Sequence, residues 1–106
     1  MSVIPSVIEY LHYLKKNKVY TTLKFKVWGN CGKCKARIEK ALKVEGVKKA
    51  EWDMNTKMLT VVFKPKIISI EQINQKLAYS GHDTEELYAL NEDYKKLPEC
   101  CKYKRE

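Results

Sequence analysis

The sequence predicts an α+β domain whose elements run β-α-β-β-α-β, and three observations carry that prediction. In "TTLKFKVW", Leu23, Phe25 and Val27 alternate with Lys24 and Lys26, the period of a half-buried strand. "VKKAEWDM" and "KMLTVVF" form a second such pair of strands, joined at Asn55-Thr56 by a short hairpin-type turn. Around this pair, two stretches switch to the three- and four-residue apolar steps of a helix. A split crossover of this kind gives a four-stranded antiparallel sheet with both helices on one face.

Taken in order, residues 1–18 read as an amphipathic helix. Pro5 suits its first turn, Ile4, Val7, Ile8, Leu11 and Leu14 form one stripe, and Lys15, Lys16 and Lys18 favour its C-terminal dipole. The first strand follows, then a loop from Gly29 to Lys33. A helix is expected to about Val44, with Ile38, Ala41 and Leu42 inward and Gly46 as its left-handed cap. Pro65 closes the third strand. Ser69, with Gln72 three residues on, has the capping-box spacing for the second helix, whose inward residues are Ile70, Ile73 and Leu77. Gly81 ends that helix, and "HDTEELYAL" is the expected fourth strand. From Asn91 the tail reads as a short polar helix, then Pro98 and "ECCKYKRE". The chain divides into an N-terminal helix over residues 1–20, a domain over 21–89 and a tail over 90–106. The helix is the expected cover for the open face of the sheet.

Charge and composition narrow the function. The 106 residues carry 21 Lys plus Arg against 13 Asp plus Glu, a formal +8. That balance suits an acidic protein partner or an anionic membrane surface. The lysines are scattered rather than run together with aromatics, which argues against nucleic acid. No stretch approaches the roughly 18 apolar residues of a membrane span. The N-terminal pattern is not that of a signal peptide, because Glu9 and His12 interrupt the apolar residues. A cytoplasmic location is expected, or a periplasmic one if the sequence is that of a mature or trimmed chain.

The four cysteines come in two pairs, Cys31/Cys34 and Cys100/Cys101. In a reducing compartment paired thiols point to metal binding or catalysis rather than to structural disulfides. Cys31 and Cys34 fall where a strand hands over to a helix, whose N-terminal amides and dipole lower thiol pKa. Thiolates are soft ligands that favour Cu(I) and other thiophilic ions. Two of them suit a linear ion such as Cu(I) or Hg(II), and structural zinc needs four.

The sequence resembles the heavy-metal-associated domain family over about residues 22–88. The resemblance rests on Cys31-Gly-Lys-Cys34 after the first strand, Ile38 and Leu42 in the helix, "EGV" at Glu45–Val47, "VVF" in the third strand and "SGHD" opening the fourth. It implies a ferredoxin-like fold, no enzymatic activity, and one soft metal ion, Cu(I) or Hg(II), bound by the loop cysteines and passed on by thiolate exchange. The receiving partner it implies is a metal-transporting membrane protein or ATPase, here one with an acidic docking face. The assembly expected is a monomer or a metal-bridged dimer. The family's Met two residues before the first cysteine is replaced by Gly29, which leaves the loop looser or held by Trp28. Trp52 reads as core or sheet-face packing. His82, after the second helix, falls near the metal loop in this family and is a candidate extra ligand or supporting donor.

Cys100 and Cys101 lie outside the common domain. They either complete a four-thiolate site with Cys31 and Cys34, which would admit Zn(II) or Cd(II), or form a second site. A fourth strand of seven residues would carry the chain roughly 23 Å from the loop. Asn91 to Glu99 would span about 30 Å if nearly extended. Convergence therefore requires a fourth strand that ends early or a short helix along the sheet edge. Two other functions compete: a thiol–disulfide oxidoreductase using the CxxC, and a metal-responsive interaction module.

Overall fold

The structure is a computed structural model and describes residues 19–105. The helix expected over residues 1–18 lies outside the described residues. Among those described, β1 (Thr21–Lys26), β2 (Val47–Trp52) and β3 (Met58–Phe63) form an antiparallel sheet in the order β1-β3-β2. The inward alternation is Phe25 from β1 and Val27 just past its end, Leu59, Val61 and Phe63 from β3, and Trp52 from β2, all buried in one cluster. Leu23 shares that side of the edge strand but remains exposed.

Two helices of ten residues cover this face: α1 (Gly32–Ala41) and α2 (Ile70–Tyr79). In α1 the four-residue step Cys34, Ile38, Leu42 puts all three side chains in the core. The helical period thus carries the second cysteine of the CxxC inward, while Cys31 stays at the rim as the N-cap residue. The helix stops at Ala41, short of the expected Val44. Gly46 does not cap it, and its positive φ (96°) serves the turn into β2 instead.

Helix α2 has the expected start. Ser69 Oγ accepts from the Gln72 amide and the Gln72 side chain accepts from the Ser69 amide. It ends in a Schellman motif: the Gly81 amide donates to the Ala78 carbonyl at 2.9 Å and the His82 amide to the Leu77 carbonyl at 3.1 Å. Gly81 has φ +99°, and a Cβ there would stand 2.9 Å from both the Asp93 carbonyl oxygen and Leu97 Cδ2. The same residue therefore supplies the left-handed turn and the room for the tail to pack against it.

The four-stranded sheet expected from "HDTEELYAL" is a three-stranded sheet plus one isolated bridge, Val27 to Thr84. The Trp28 amide donates to the Asp83 carbonyl and the Glu85 amide to the Lys26 carbonyl, one on each side of that bridge. Thr84 Oγ1 then accepts from the Glu86 and Leu87 amides, and the Thr84 amide donates to the Leu87 carbonyl. A threonine hydroxyl offering the backbone a local turn has outcompeted the ladder.

Because the edge segment turns off early, the tail can come back. It forms α3 (Asn91–Lys95) and a 3-10 turn, Glu99–Cys101. Tyr103 locks it down. Its hydroxyl accepts from the Asp83 amide and donates to the Gly81 carbonyl, both at 2.8 Å, and the residue is buried. Arg105 grips the Asp83 carboxylate with two nitrogens, at 3.0 and 2.8 Å, and also donates to the Ala89 carbonyl and to Asn91 Oδ1. Tyr103→Phe should cost about 1–3 kcal/mol, because it strands a buried amide and a buried carbonyl. Urea unfolding of the two proteins side by side checks this, and equal midpoints would contradict the locking role.

Candidate metal centre

The site is built from the two ends of the described chain. Cys31 and Cys34 come from the β1–α1 joint, Cys100 and Cys101 from the 3-10 turn of the tail. Cys31 Sγ lies 3.8 Å from Cys34 Sγ, 3.8 Å from Cys101 Sγ and 3.2 Å from Cys100 Sγ, and the two tail sulfurs are 3.9 Å apart. Cys31, Cys34 and Cys101 form a trio with all sulfurs within 4.8 Å of one another. Cys34 and Cys101 are fully buried, Cys31 is half-buried and Cys100 is exposed. All four are free thiols.

These spacings carry chemical meaning. With metal–sulfur bonds of about 2.3 Å, a tetrahedral ion separates its sulfurs by about 3.8 Å, and a linear ion by about 4.6 Å. The spacings within the trio match three sulfurs around one centre better than two in line, and Cys100, 3.2 Å from Cys31, stands outside that trio. A soft ion is what such a set selects.

The electrostatics favour a thiolate at the rim. The Cys100 thiol beside it, with the backbone amides of Cys34 and Lys33, pulls Cys31 from an ordinary 9.0 down to about 6. Cys100 is pushed up by the same contact with Cys31, and burial pushes Cys101 up. The Asn30 amide donates to Cys34 Sγ at 3.3 Å. The charge of Lys33 acts on Cys100, while Lys35 is engaged by Glu39 and the Trp52 carbonyl.

The loop is held from beneath by Trp52, correcting the expectation that Trp28 would hold it or leave it loose. The Trp52 indole N–H donates to the Val27 carbonyl at 2.9 Å. A Cβ at Gly29 would meet the Trp52 ring and Cys34 Cβ, each at 3.1 Å. The position is glycine because the indole already fills the space under the loop. Trp28 is only partly buried and carries Lys26 over its ring.

His82 is placed close to the loop but not among the thiols. Its Nδ1 lies 2.8 Å from the Trp28 carbonyl, which must accept, so Nδ1 carries the proton. The ring stacks on Tyr103 with centroids 5.7 Å apart. Burial lowers its pKa, keeping the imidazole neutral. It does not join the thiol trio, and its contacts make it a brace between the loop and the tail.

Tyr103, Arg105 and Asp83 escaped the sequence reading as site residues. Asp83 stood in the "SGHD" pattern, but nothing in sequence paired it with an arginine 22 residues later. Iodoacetamide alkylation of Cys31 should rise with pH to half its plateau near pH 6, since only the thiolate reacts. In Cys100→Ala the half-rise should move up toward the ordinary thiol range. Peptide-resolved mass spectrometry reads both, and a wild-type half-rise near 9 would contradict the geometry.

Residues 30–83, just over half of the chain, match the model of the heavy-metal-associated domain. No curated protein matches the sequence. Among solved structures, the N-terminal domain of a potential copper-translocating P-type ATPase from Bacillus subtilis, in the Cu(I)-loaded state, is 29% identical. It aligns over 62% of this chain and 85% of its own, with a TM-score of 0.59. Oxidized MerP from Ralstonia metallidurans is 28% identical over 63% of this chain and 96% of its own, also with a TM-score of 0.59. A CopZ metallochaperone shares the fold at 24% identity, over 60% of this chain and 98% of its own, with a TM-score of 0.58. The family match ends at residue 83, so the tail that supplies Cys100 and Cys101 lies outside it. The chain belongs to the heavy-metal-associated domain family, whose members here are metal-binding modules rather than enzymes.

Proposed function

We propose that this chain binds one soft heavy-metal ion, Cu(I) or Hg(II), through thiolates and passes it to a metal transporter. The observation that carries the reading is the trio Cys31, Cys34 and Cys101, three sulfurs within 4.8 Å of one another at the N-terminus of α1. Cys31, the N-cap residue of α1, sits where the backbone amides of Cys34 and Lys33 favour a thiolate. Cu(I) is the ion best supported, because it is the ion in the B. subtilis ATPase domain and because three thiolates suit it. Zn(II) or Cd(II) would need Cys100 to move in as a fourth ligand from its place beside Cys31 and Cys101.

The receiving partner follows from charge. A groove beside the loop is lined by Lys26, Lys57 and Lys104 with Trp28 and Tyr103. An acidic face on a metal-transporting ATPase would complement it, and such pairing acts chiefly on encounter rate. The family assignment leaves the oxidoreductase alternative without support.

Native mass spectrometry with Cu(I), Hg(II) and Zn(II), each supplied under reducing conditions, tests the reading. One Cu(I) or Hg(II) per chain is expected, and Cys31→Ser with Cys34→Ser should abolish it with the fold intact by circular dichroism. Replacing Cys100 and Cys101 with Ser should weaken Zn(II) and Cd(II) far more than Hg(II), since a linear ion needs only the loop pair. Undiminished one-to-one Cu(I) binding without Cys31 and Cys34 would refute the assignment.

A further inference from the structure

The four thiols are not equivalent. Cys34 lies on the buried stripe of α1 with Ile38 and Leu42, and Cys101 is buried on the opposite wall. Cys31 is half-buried between them, and Cys100 alone is exposed. Cys31 belongs to two sets at once. It closes the inner trio with Cys34 and Cys101, at 3.8 Å from each, and an outer pair with Cys100 at 3.2 Å. Cys100 also touches Cys101 at 3.9 Å. An acceptor thiol approaching from solvent meets the exposed Cys100 and the half-buried Cys31 before the two buried sulfurs.

Resting on the reading that the trio holds a soft ion, we propose that Cys100 is the relay ligand through which the ion enters and leaves, while Cys34 and Cys101 retain it. On exit, Cys100 Sγ bonds the ion as the bonds to Cys34 and Cys101 break, and Cys31 remains attached as the pivot. An acceptor's thiolates then displace Cys31 and Cys100. The ion thus goes from three protein sulfurs to the two-coordinate pair Cys31 and Cys100, with one bond fewer, and each acceptor bond formed after that replaces one broken. Each incoming thiol releases its proton and each departing thiolate takes one up, so the ion keeps its oxidation state and no electrons move.

Such an arrangement separates retention from exchange. A family site with only the loop pair presents its ion directly to a partner. Here the tail wall, fixed by Tyr103 and Arg105, covers the inner side and offers one exposed sulfur of its own. A relay lowers the barrier in both directions and leaves the equilibrium nearly unchanged. A retaining ligand does the opposite: losing it weakens binding.

The full chain is loaded anaerobically with one equivalent of Cu(I), and transfer to excess bicinchoninate is followed by stopped-flow absorbance. Affinity is measured separately by equilibrium competition with the same chelator. Cys100→Ser should keep one-to-one binding with affinity within about threefold and slow both uptake and release by about tenfold or more. Cys101→Ser should lose affinity and release faster. Unchanged rates in Cys100→Ser, or a loss of affinity as large as that in Cys101→Ser, would overturn the relay while leaving the metal-binding reading intact. Failure of the unmodified chain to take up one Cu(I) would overturn that reading and the relay with it.

Discussion

The hydroxyl of Tyr103 is the contact on which the arrangement of the site depends. It satisfies a buried amide at Asp83 and a buried carbonyl at Gly81, groups just before the Thr84 bridge that have no backbone partner. Arg105 neutralises Asp83 next door, and the phenol ring packs edge-on against Tyr94 at 5.1 Å and face-on against His82. Buried polar groups of this kind cost more when unpaired than they return when paired. The tail is thereby tied to one position, and Cys101 arrives at the loop as a consequence of backbone chemistry rather than of any attraction between thiols.

A second constraint acts from the other side. Trp52 is among the largest fully buried side chains, and it reaches from β2 beneath the loop that bears Cys31. Its indole N–H ties down the Val27 carbonyl, just where β1 ends and the bridge to Thr84 begins. Loop and tail meet at Cys31, which contacts both Cys100 and Cys101. The result is a site whose walls come from segments about 70 residues apart in sequence, with one sulfur at the rim and one outside it. Preorganisation of this kind lets a metal site form with little reordering.

Much of the frame could be read in advance because its signals are local. Alternation in "TTLKFKVW" and "KMLTVVF" located two strands, and Ser69 with Gln72 fixed the start of α2 to the residue. The placing of Cys31 and Cys34 at a strand–helix joint followed from the same patterns. What escaped was non-local or a close competition. The hydroxyl of Thr84 diverted a segment with strand composition, and composition alone does not show which local bond wins. The role of Trp52 depended on space freed at Gly29, 23 residues earlier, so the missing side chain at Gly29 was the available clue. For the tail, distance arithmetic showed that the thiols would meet the loop only if the fourth strand ended early or a short helix intervened. Both occur. His82 lies near the loop, with Nδ1 engaged with the Trp28 carbonyl and the ring outside the thiol trio.

The central claim is that one ion would find ligands from both ends of the domain. X-ray absorption spectroscopy at the copper edge, on the full chain loaded with one equivalent of Cu(I), counts those ligands directly. The structure predicts three sulfurs around copper, falling to two in Cys101→Ser. A count of two in the unmodified chain, unchanged by that substitution, would contradict the shared site and return the tail thiols to a separate role.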